Sequence, residues 1–173
     1  MRILLCGPES SGKTTLAQSL ADDLQAVLVP EYARTFLADR ATGGYKKSDL
    51  LTMLAGQLES EVERGKTNRT VICDTGAVDY YVWSLVKYGK VHPAIEQAVI
   101  HADYDVILLL APDLPWHPDP QRESPLPERR ELIFAAFEQL LRDKDLDYTV
   151  ICGANGLRLA SALEVINQRR LMY

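Results

Sequence analysis

The segment Gly7-Pro8-Glu9-Ser10-Ser11-Gly12-Lys13-Thr14 constrains this chain more than any other stretch. It fits the pattern G-x-x-x-x-G-K-[ST], and its flanks supply the context that the pattern requires. Ile3-Leu4-Leu5-Cys6 reads as a buried strand and Thr15-Leu16-Ala17-Gln18-Ser19-Leu20-Ala21 as a helix. A strand, a glycine-rich loop and a helix N-terminus in series form an anion site. Backbone N–H groups curl around phosphate oxygens, and the helix dipole adds partial positive charge. Lys13 would reach the β- and γ-phosphates of ATP, and the Thr14 hydroxyl would bind Mg²⁺. Gly7, Glu9, Ser10, Ser11, Gly12 and Thr15 are expected to complete the phosphate cradle.

Five short apolar runs alternate with helical patterns. The expected strands are Arg2–Cys6, Ala26–Val29, Thr70–Cys73, Val106–Leu110 and Thr149–Cys152. Helical stripes run through Leu16, Leu20 and Leu24, through Leu50, Leu51, Leu54, Leu58 and Val62, and through Ile133, Phe134, Phe137, Leu140 and Leu141. This alternation implies a doubly wound α/β fold, a five-stranded parallel sheet covered by helices on both faces. A chain of 173 residues, 47% apolar and 25% charged, suits one domain with a full-sized core over residues 1–173. A net charge of −5 disfavours a nucleic-acid partner. No apolar run is long enough to span a membrane, and a strand beginning at Arg2 leaves no room for a signal peptide. Cys6, Cys73 and Cys152 form no C-x-x-C pair and read as three buried thiols in a reducing, cytoplasmic compartment. No repeat is visible, and nothing marks an oligomeric state.

In such sheets ligands gather at the carboxyl ends of the strands, so the residues after each strand are the candidates for chemistry. Pro30-Glu31-Tyr32-Ala33-Arg34 follows the second strand. Glu31 would accept a proton from a substrate hydroxyl or hold it in line, with Arg34 one turn on, or the pair simply opens a helix. Asp74, at the tip of the third strand, would hold Mg²⁺ opposite Thr14 or cap the next helix. Thr75 stands where a water-activating Glu is common in motor ATPases, which favours transfer to a bound acceptor over hydrolysis. After the fourth strand, Ala111 to Glu128 holds six of the nine prolines and reads as a long loop, a lid over approximately residues 112–130. It carries Trp116, a ring-stacking residue or a core anchor, and Arg122, with Arg129 and Arg130 just beyond to close on phosphates. Asn155 and Arg158, after the last strand, border a nucleotide base or merely form a turn. Tyr80, Tyr81, Trp83 and Tyr88 read as helix-packing residues, Asp79 and Tyr80 also as cleft candidates, and Tyr45-Lys46-Lys47 as solvated. No two of His92, His101 and His117 have metal-ligand spacing.

Taken in order, Gly7–Thr14, Glu31-Tyr32-Ala33-Arg34, Gln57, Asp74-Thr75 and Leu109-Leu110-Ala111-Pro112-Asp113-Leu114-Pro115-Trp116 resemble the nicotinamide riboside kinase domain of the NadR type. That group is a branch of the P-loop nucleoside and nucleotide kinases. The resemblance implies a P-loop NTPase-type sheet with a lid, and transfer of phosphate from ATP with Mg²⁺ to the ribose 5′-hydroxyl of a small-molecule substrate, nicotinamide riboside, giving nicotinamide mononucleotide. The alternatives are a P-loop kinase for another nucleoside or nucleotide, or a module that binds ATP without turnover. The resemblance also implies that Lys13, Thr14 and the loop amides hold ATP, with Arg122 acting from the lid; Arg129 and Asn155 are expected beside the nucleotide from their positions after the fourth and fifth strands. Asp74 would serve Mg²⁺ and perform catalysis with Lys13 and Glu31. Glu31, Tyr32, Arg34, Gln57 and Trp116 would face the riboside. Members often carry an acid after the Asp-Thr pair. Gly76 at that position implies one substrate contact fewer.

Overall fold

The computed structural model describes residues 1–38, 45–66, 69–118, 124–154 and 156–171. Arg122 and Asn155 therefore lie outside the described residues. Strands β1 (Arg2–Cys6), β2 (Val27–Val29), β3 (Val71–Asp74), β4 (Val106–Leu110) and β5 (Thr149–Ile151) form one parallel sheet in the order β2-β3-β1-β4-β5. The doubly wound five-stranded α/β expectation holds. β1 is the middle strand, registered Leu4 to Cys73 on one side and Leu4 to Ile107 on the other. The chain leaves β1 toward β2 on one side and later crosses to β4 on the other, so the sheet's switch point lies at the carboxyl end of β1.

Alternation along the strands builds the two helical layers. Ile3, Leu5, Leu108 and Leu110 pack on α1 (Lys13–Asp23) and α7 (Gly156–Arg170). Leu4, Cys6, Ile107 and Leu109 point the other way, against α4 (Ala77–Tyr88) and α6 (Pro127–Asp143). A third apolar cluster joins α2 (Tyr32–Ala38), α3 (Lys47–Gly65), α4 and α5 (Pro93–Ile100) beyond the β2 edge. Both faces of the inner strands are buried, which explains their unbroken apolar runs. No described helix is long and apolar enough to cross a membrane.

Three sequence expectations need correction. Cys6 and Cys73 are buried, but Cys152 is exposed, because β5 ends at Ile151 and the next residue has left the sheet. The segment expected to be a lid ends sooner, with Pro127 opening α6, where its missing N–H costs nothing. On α3, Val62 is 57% exposed, and the buried face runs Leu50, Met53, Leu54, Gln57, Glu61. Two polar residues thus occupy a face that an apolar stripe does not reveal. Gln57 donates to the Thr75 carbonyl at 3.0 Å and accepts the Tyr32 N–H at 2.9 Å, and Tyr104 donates its hydroxyl to the Glu61 carboxylate at 3.0 Å. These bonds satisfy groups that would otherwise be costly to bury.

Burial raises the Glu61 pKa from 4.5 to about 7, even though the Tyr104 hydroxyl favours the charged form. The folded chain therefore holds this proton more tightly than the unfolded chain, and stability falls as pH rises from about 4.5 to about 7. Glu61→Gln keeps an acceptor for Tyr104 and removes the titration. Its stability relative to the parent should increase across that window by on the order of 3 kcal/mol, as read by urea unfolding at pH 5 and pH 8.

Candidate phosphate-binding and acceptor site

At the end of β1 the chain turns through Gly7 with φ 139°, and a Cβ there would lie 2.7 Å from the Leu110 carbonyl oxygen on β4. Only glycine allows this approach. Gly12 takes a left-handed conformation, φ 84°, and α1 begins at Lys13. Glu9 through Thr15 line a cleft of about 130 Å³ whose opposite wall carries Glu31, Ala33, Arg34 and Leu37 from the β2–α2 segment. The phosphate cradle and the segment expected to meet an acceptor thus face one cavity, although Thr15 and Glu31, their nearest members, are 16 positions apart in sequence.

Lys13 donates its ammonium to the carbonyls of Gly7 and Pro8 at 2.8 and 2.9 Å. Glu31 pairs with Arg34 at 3.0 Å. Burial raises the Glu31 pKa and Asp74 adds to it, while Lys13 and Arg34 lower it. Asp74, 2% exposed, has its pKa raised by burial against the pull of Lys13 and a hydrogen bond to Thr14. Its Oδ1 is buried with no protein partner. A hydroxyl and a carboxylate side by side, with one carboxylate oxygen unsatisfied, are a hard-oxygen donor set that fits Mg²⁺. Thr75, next in sequence, has φ 83°, unusual for a β-branched residue. Its N–H donates to the Leu5 carbonyl at 3.1 Å, and its own carbonyl accepts from Gln57.

Several expected contacts fall elsewhere. Gly7 does not offer its N–H to the cleft, because Asp79 accepts it at 3.3 Å, along with the Gly76 N–H at 3.1 Å. Asp79 is fully buried beneath the loop, and burial raises its pKa to about 7. Gln57 is fully buried behind the cleft wall, its amide spent on backbone groups. The Tyr32 ring packs where a Cβ on Gly56 would stand, so it faces α3 and does not line the cleft. Gly76 faces inward as well. A Cβ there would strike the Tyr104 hydroxyl and Leu4, so an acid at this position would not reach the cleft without rebuilding the core. Trp116 is half-buried and is not among the described residues lining the cleft. The aromatic wall comes instead from Trp83 on α4 and Tyr45 before α3, beside Met53 and Leu37. Helical spacing could have flagged Trp83, four residues after Asp79 and on the same face. No local signal marks Tyr45.

The loops around the cradle are fastened to it. Arg158, 3% exposed in the first turn of α7, donates to the carbonyls of Gly153 at 2.6 Å, Ser11 at 2.8 Å and Ala111 at 3.1 Å, and pairs with Asp113. It is therefore not free to lie on a nucleotide base. Four acceptors compensate a cation placed at the unfavourable end of a helix. Ser10 donates its hydroxyl to the Pro115 carbonyl and accepts the His117 N–H, and the Glu9 carboxylate accepts the Ser124 N–H. Arg130 is buried and donates to the Leu114 carbonyl at 3.1 Å. Its neighbour Arg129 is exposed and lines a small cavity with Glu9, Tyr45 and Trp83.

A family model described as an AAA domain (AAA_28) matches residues 2–156. The trifunctional NAD biosynthesis/regulator protein NadR of Salmonella typhimurium is 22% identical over 152 residues, covering 84% of this chain and 37% of the relative. NadR of Escherichia coli K12 is 22% identical over 150 residues with the same coverage. The chain thus spans 37% of the length of these curated relatives. NadR in complex with NAD and AMP-PNP superposes with a TM-score of 0.82 at 20% identity, over 97% of this chain and 49% of that one. NadR in complex with NR gives 0.79 at 20% identity, over 97% and 51%. Thymidylate kinase from Ehrlichia chaffeensis gives 0.70 at 20% identity, over 96% and 98%. The likeness to NadR expected from the motifs is present in sequence and in fold.

Arg158→Gln leaves Asp113 and three carbonyls short of donors. It should lower the unfolding free energy by about 3 kcal/mol and weaken nucleotide binding at temperatures where the variant stays folded. Chemical denaturation and nucleotide titration measure the two effects.

Proposed function

The chain belongs to the AAA_28 family of AAA domains, and from that premise we propose that it transfers the γ-phosphate of ATP to the ribose 5′-hydroxyl of nicotinamide riboside, giving nicotinamide mononucleotide. The observation that carries this reading is the single cleft in which Lys13 and Thr14 stand opposite the Glu31–Arg34 pair, with an aromatic wall of Tyr45 and Trp83 beside them. A phosphate donor site, a fixed carboxylate and an apolar shelf for a planar ring are the parts that a nucleoside kinase requires. The similarity to NadR, one structure of which is described in complex with NR and another with AMP-PNP, supports the choice of acceptor and donor. The likeness to thymidylate kinase and to deoxyadenosine kinase supports the wider group.

In this reading the amides of Glu9 through Thr14 and the N-terminus of α1 hold the phosphates, and Lys13 exchanges its two loop carbonyls for phosphate oxygens. Thr14 and Asp74 would hold Mg²⁺, which would neutralise charge on the phosphates. Arg34 fixes Glu31 so that its carboxylate meets the 5′-hydroxyl. Glu31 accepts the hydroxyl proton as the 5′-oxygen bonds to phosphorus and the bond to the β–γ bridging oxygen breaks. A carboxylate with a raised pKa is better matched to taking that proton than an ordinary one. Tyr45 and Trp83 attract the cationic pyridinium ring by cation–π contact. The protein acts as a cytoplasmic kinase domain on a small molecule, with the segment between β4 and α6, including Arg122, as its lid.

Incubation with ATP, Mg²⁺ and nicotinamide riboside beside a panel of nucleosides, read by mass spectrometry, should give nicotinamide mononucleotide as the dominant product. A different phosphorylated nucleoside would replace this acceptor. Glu31→Gln should lower kcat by roughly 100-fold or more, as expected for loss of a general base, while the Kd for ATP stays within about twofold.

A further inference from the structure

The ladder between β2 and β3 ends at the pair Val29–Cys73, short of both Glu31 and Asp74. Past that pair a side chain continues the connection. Gln57, fully buried on α3, accepts the Tyr32 N–H on its Oε1 at 2.9 Å and donates from its Nε2 to the Thr75 carbonyl at 3.0 Å. Tyr32 directly follows Glu31, and Thr75 directly follows Asp74. The bridge therefore joins the two chain segments at the residues next to their carboxylates. The orientation of the amide is set by its partners, since an N–H only donates and a carbonyl only accepts. From behind, the Glu61 carboxylate accepts a further hydrogen bond from the Gln57 amide and one from the Tyr104 hydroxyl.

Two more observations show both segments held by these contacts. The Tyr32 ring fills the space that a Cβ on Gly56 would take, so α3 grips Tyr32 by its ring as well as its N–H. Thr75 sits at φ 83°, a backbone state that a β-branched residue keeps only where its surroundings impose it. The bonds from Gln57 to its carbonyl and from its N–H to Leu5 are the restraints. We propose that Gln57 is a positioning residue for phosphoryl transfer: its bridge fixes the Glu31 carboxylate relative to Asp74, so that the acceptor hydroxyl meets the γ-phosphate in line. Gln57 touches neither substrate and acts through Glu31. This rests on the kinase reading above and deepens it. In-line transfer is sensitive to such placement, because a shift of about 1 Å can cost roughly 100-fold in rate.

The test uses Gln57→Met, which keeps the length of the side chain and removes both hydrogen bonds. Gln57→Asn is the milder second variant, with an amide one methylene too short to reach both partners. Urea unfolding shows that each is folded at the assay temperature. With the nucleoside that the parent phosphorylates best, Gln57→Met should lower kcat by about 10- to 100-fold and Gln57→Asn by less. Calorimetric titration should give a Kd for ATP within about twofold of the parent for both, because the phosphate loop is untouched. Added to Glu31→Gln, Gln57→Met should lower kcat by no more than about threefold further, since the group it places no longer takes the proton. A residue that only stabilises the fold gives a different pattern, with ATP affinity falling in step with kcat and losses that multiply in the double variant. Either of those results, or a folded Gln57→Met with kcat within about threefold of the parent, would overturn the positioning role and leave the kinase reading standing. A parent that phosphorylates none of the nucleosides would overturn the kinase reading and this role with it. A parent that prefers another nucleoside would replace nicotinamide riboside, and the Gln57 result on that nucleoside would still support or overturn the role.

Discussion

The approach of Gly7 to the Leu110 carbonyl is the constraint on which the rest of the site depends. It lets the phosphate loop rise directly from the middle strand, with the ends of β3 and β4 on either side. Asp74 arrives from one neighbour and the Ala111–Trp116 segment from the other. Nothing larger than a hydrogen fits between loop and sheet there. The position of the cradle is therefore set by backbone contact and not by side chains that could relax. The buried Asp79 carboxylate completes the arrangement, tying the loop's first N–H to the N–H that opens α4.

Charge is organised around one ammonium. Lys13 lowers the pKa values of Glu31, Asp74, Asp79 and Cys6, all of which burial raises. These groups come from β1, the β2–α2 segment, β3 and α4, so three carboxylates and a thiol feel the same ammonium, with Arg34 a second cation beside Glu31 and Asp74. On the function proposed above, that density of carboxylates would favour cations, a divalent ion on the phosphates and a positively charged ring against Tyr45 and Trp83. The apolar shelf lowers the local dielectric and strengthens each of these interactions.

Much of this was legible in the chain alone. The glycine loop, the alternation of strands and helices, and Asp74 at a strand tip are local patterns, and local patterns survive without the fold. Glu31 and Arg34 were legible for the same reason, lying immediately after a strand. What escaped depends on partners distant in sequence. Gln57 reads as a cleft residue until Tyr32 and Thr75 are seen to use its amide. Arg158 reads as a base contact until Ser11, Ala111 and Asp113, all more than 40 positions away, are found around its guanidinium. The buried face of α3 was misphased because Glu61 and Gln57 are inward polar residues. Hydrophobic periodicity cannot distinguish an inward polar side chain from a solvated one.

The uneven burial of the three cysteines has a practical side. Cys6 and Cys73 are sealed under the loop and in β3, with thiol pKa values pushed upward by burial, so neither presents a thiolate to solvent. Cys152 stands exposed beside Gly153, whose carbonyl and N–H are held by Arg158 and Asp113. A maleimide dye added to the native protein would therefore attach at one position, on the rim of the cradle. The unmodified chain thus comes with its own address for a fluorescent reporter of ligand occupancy.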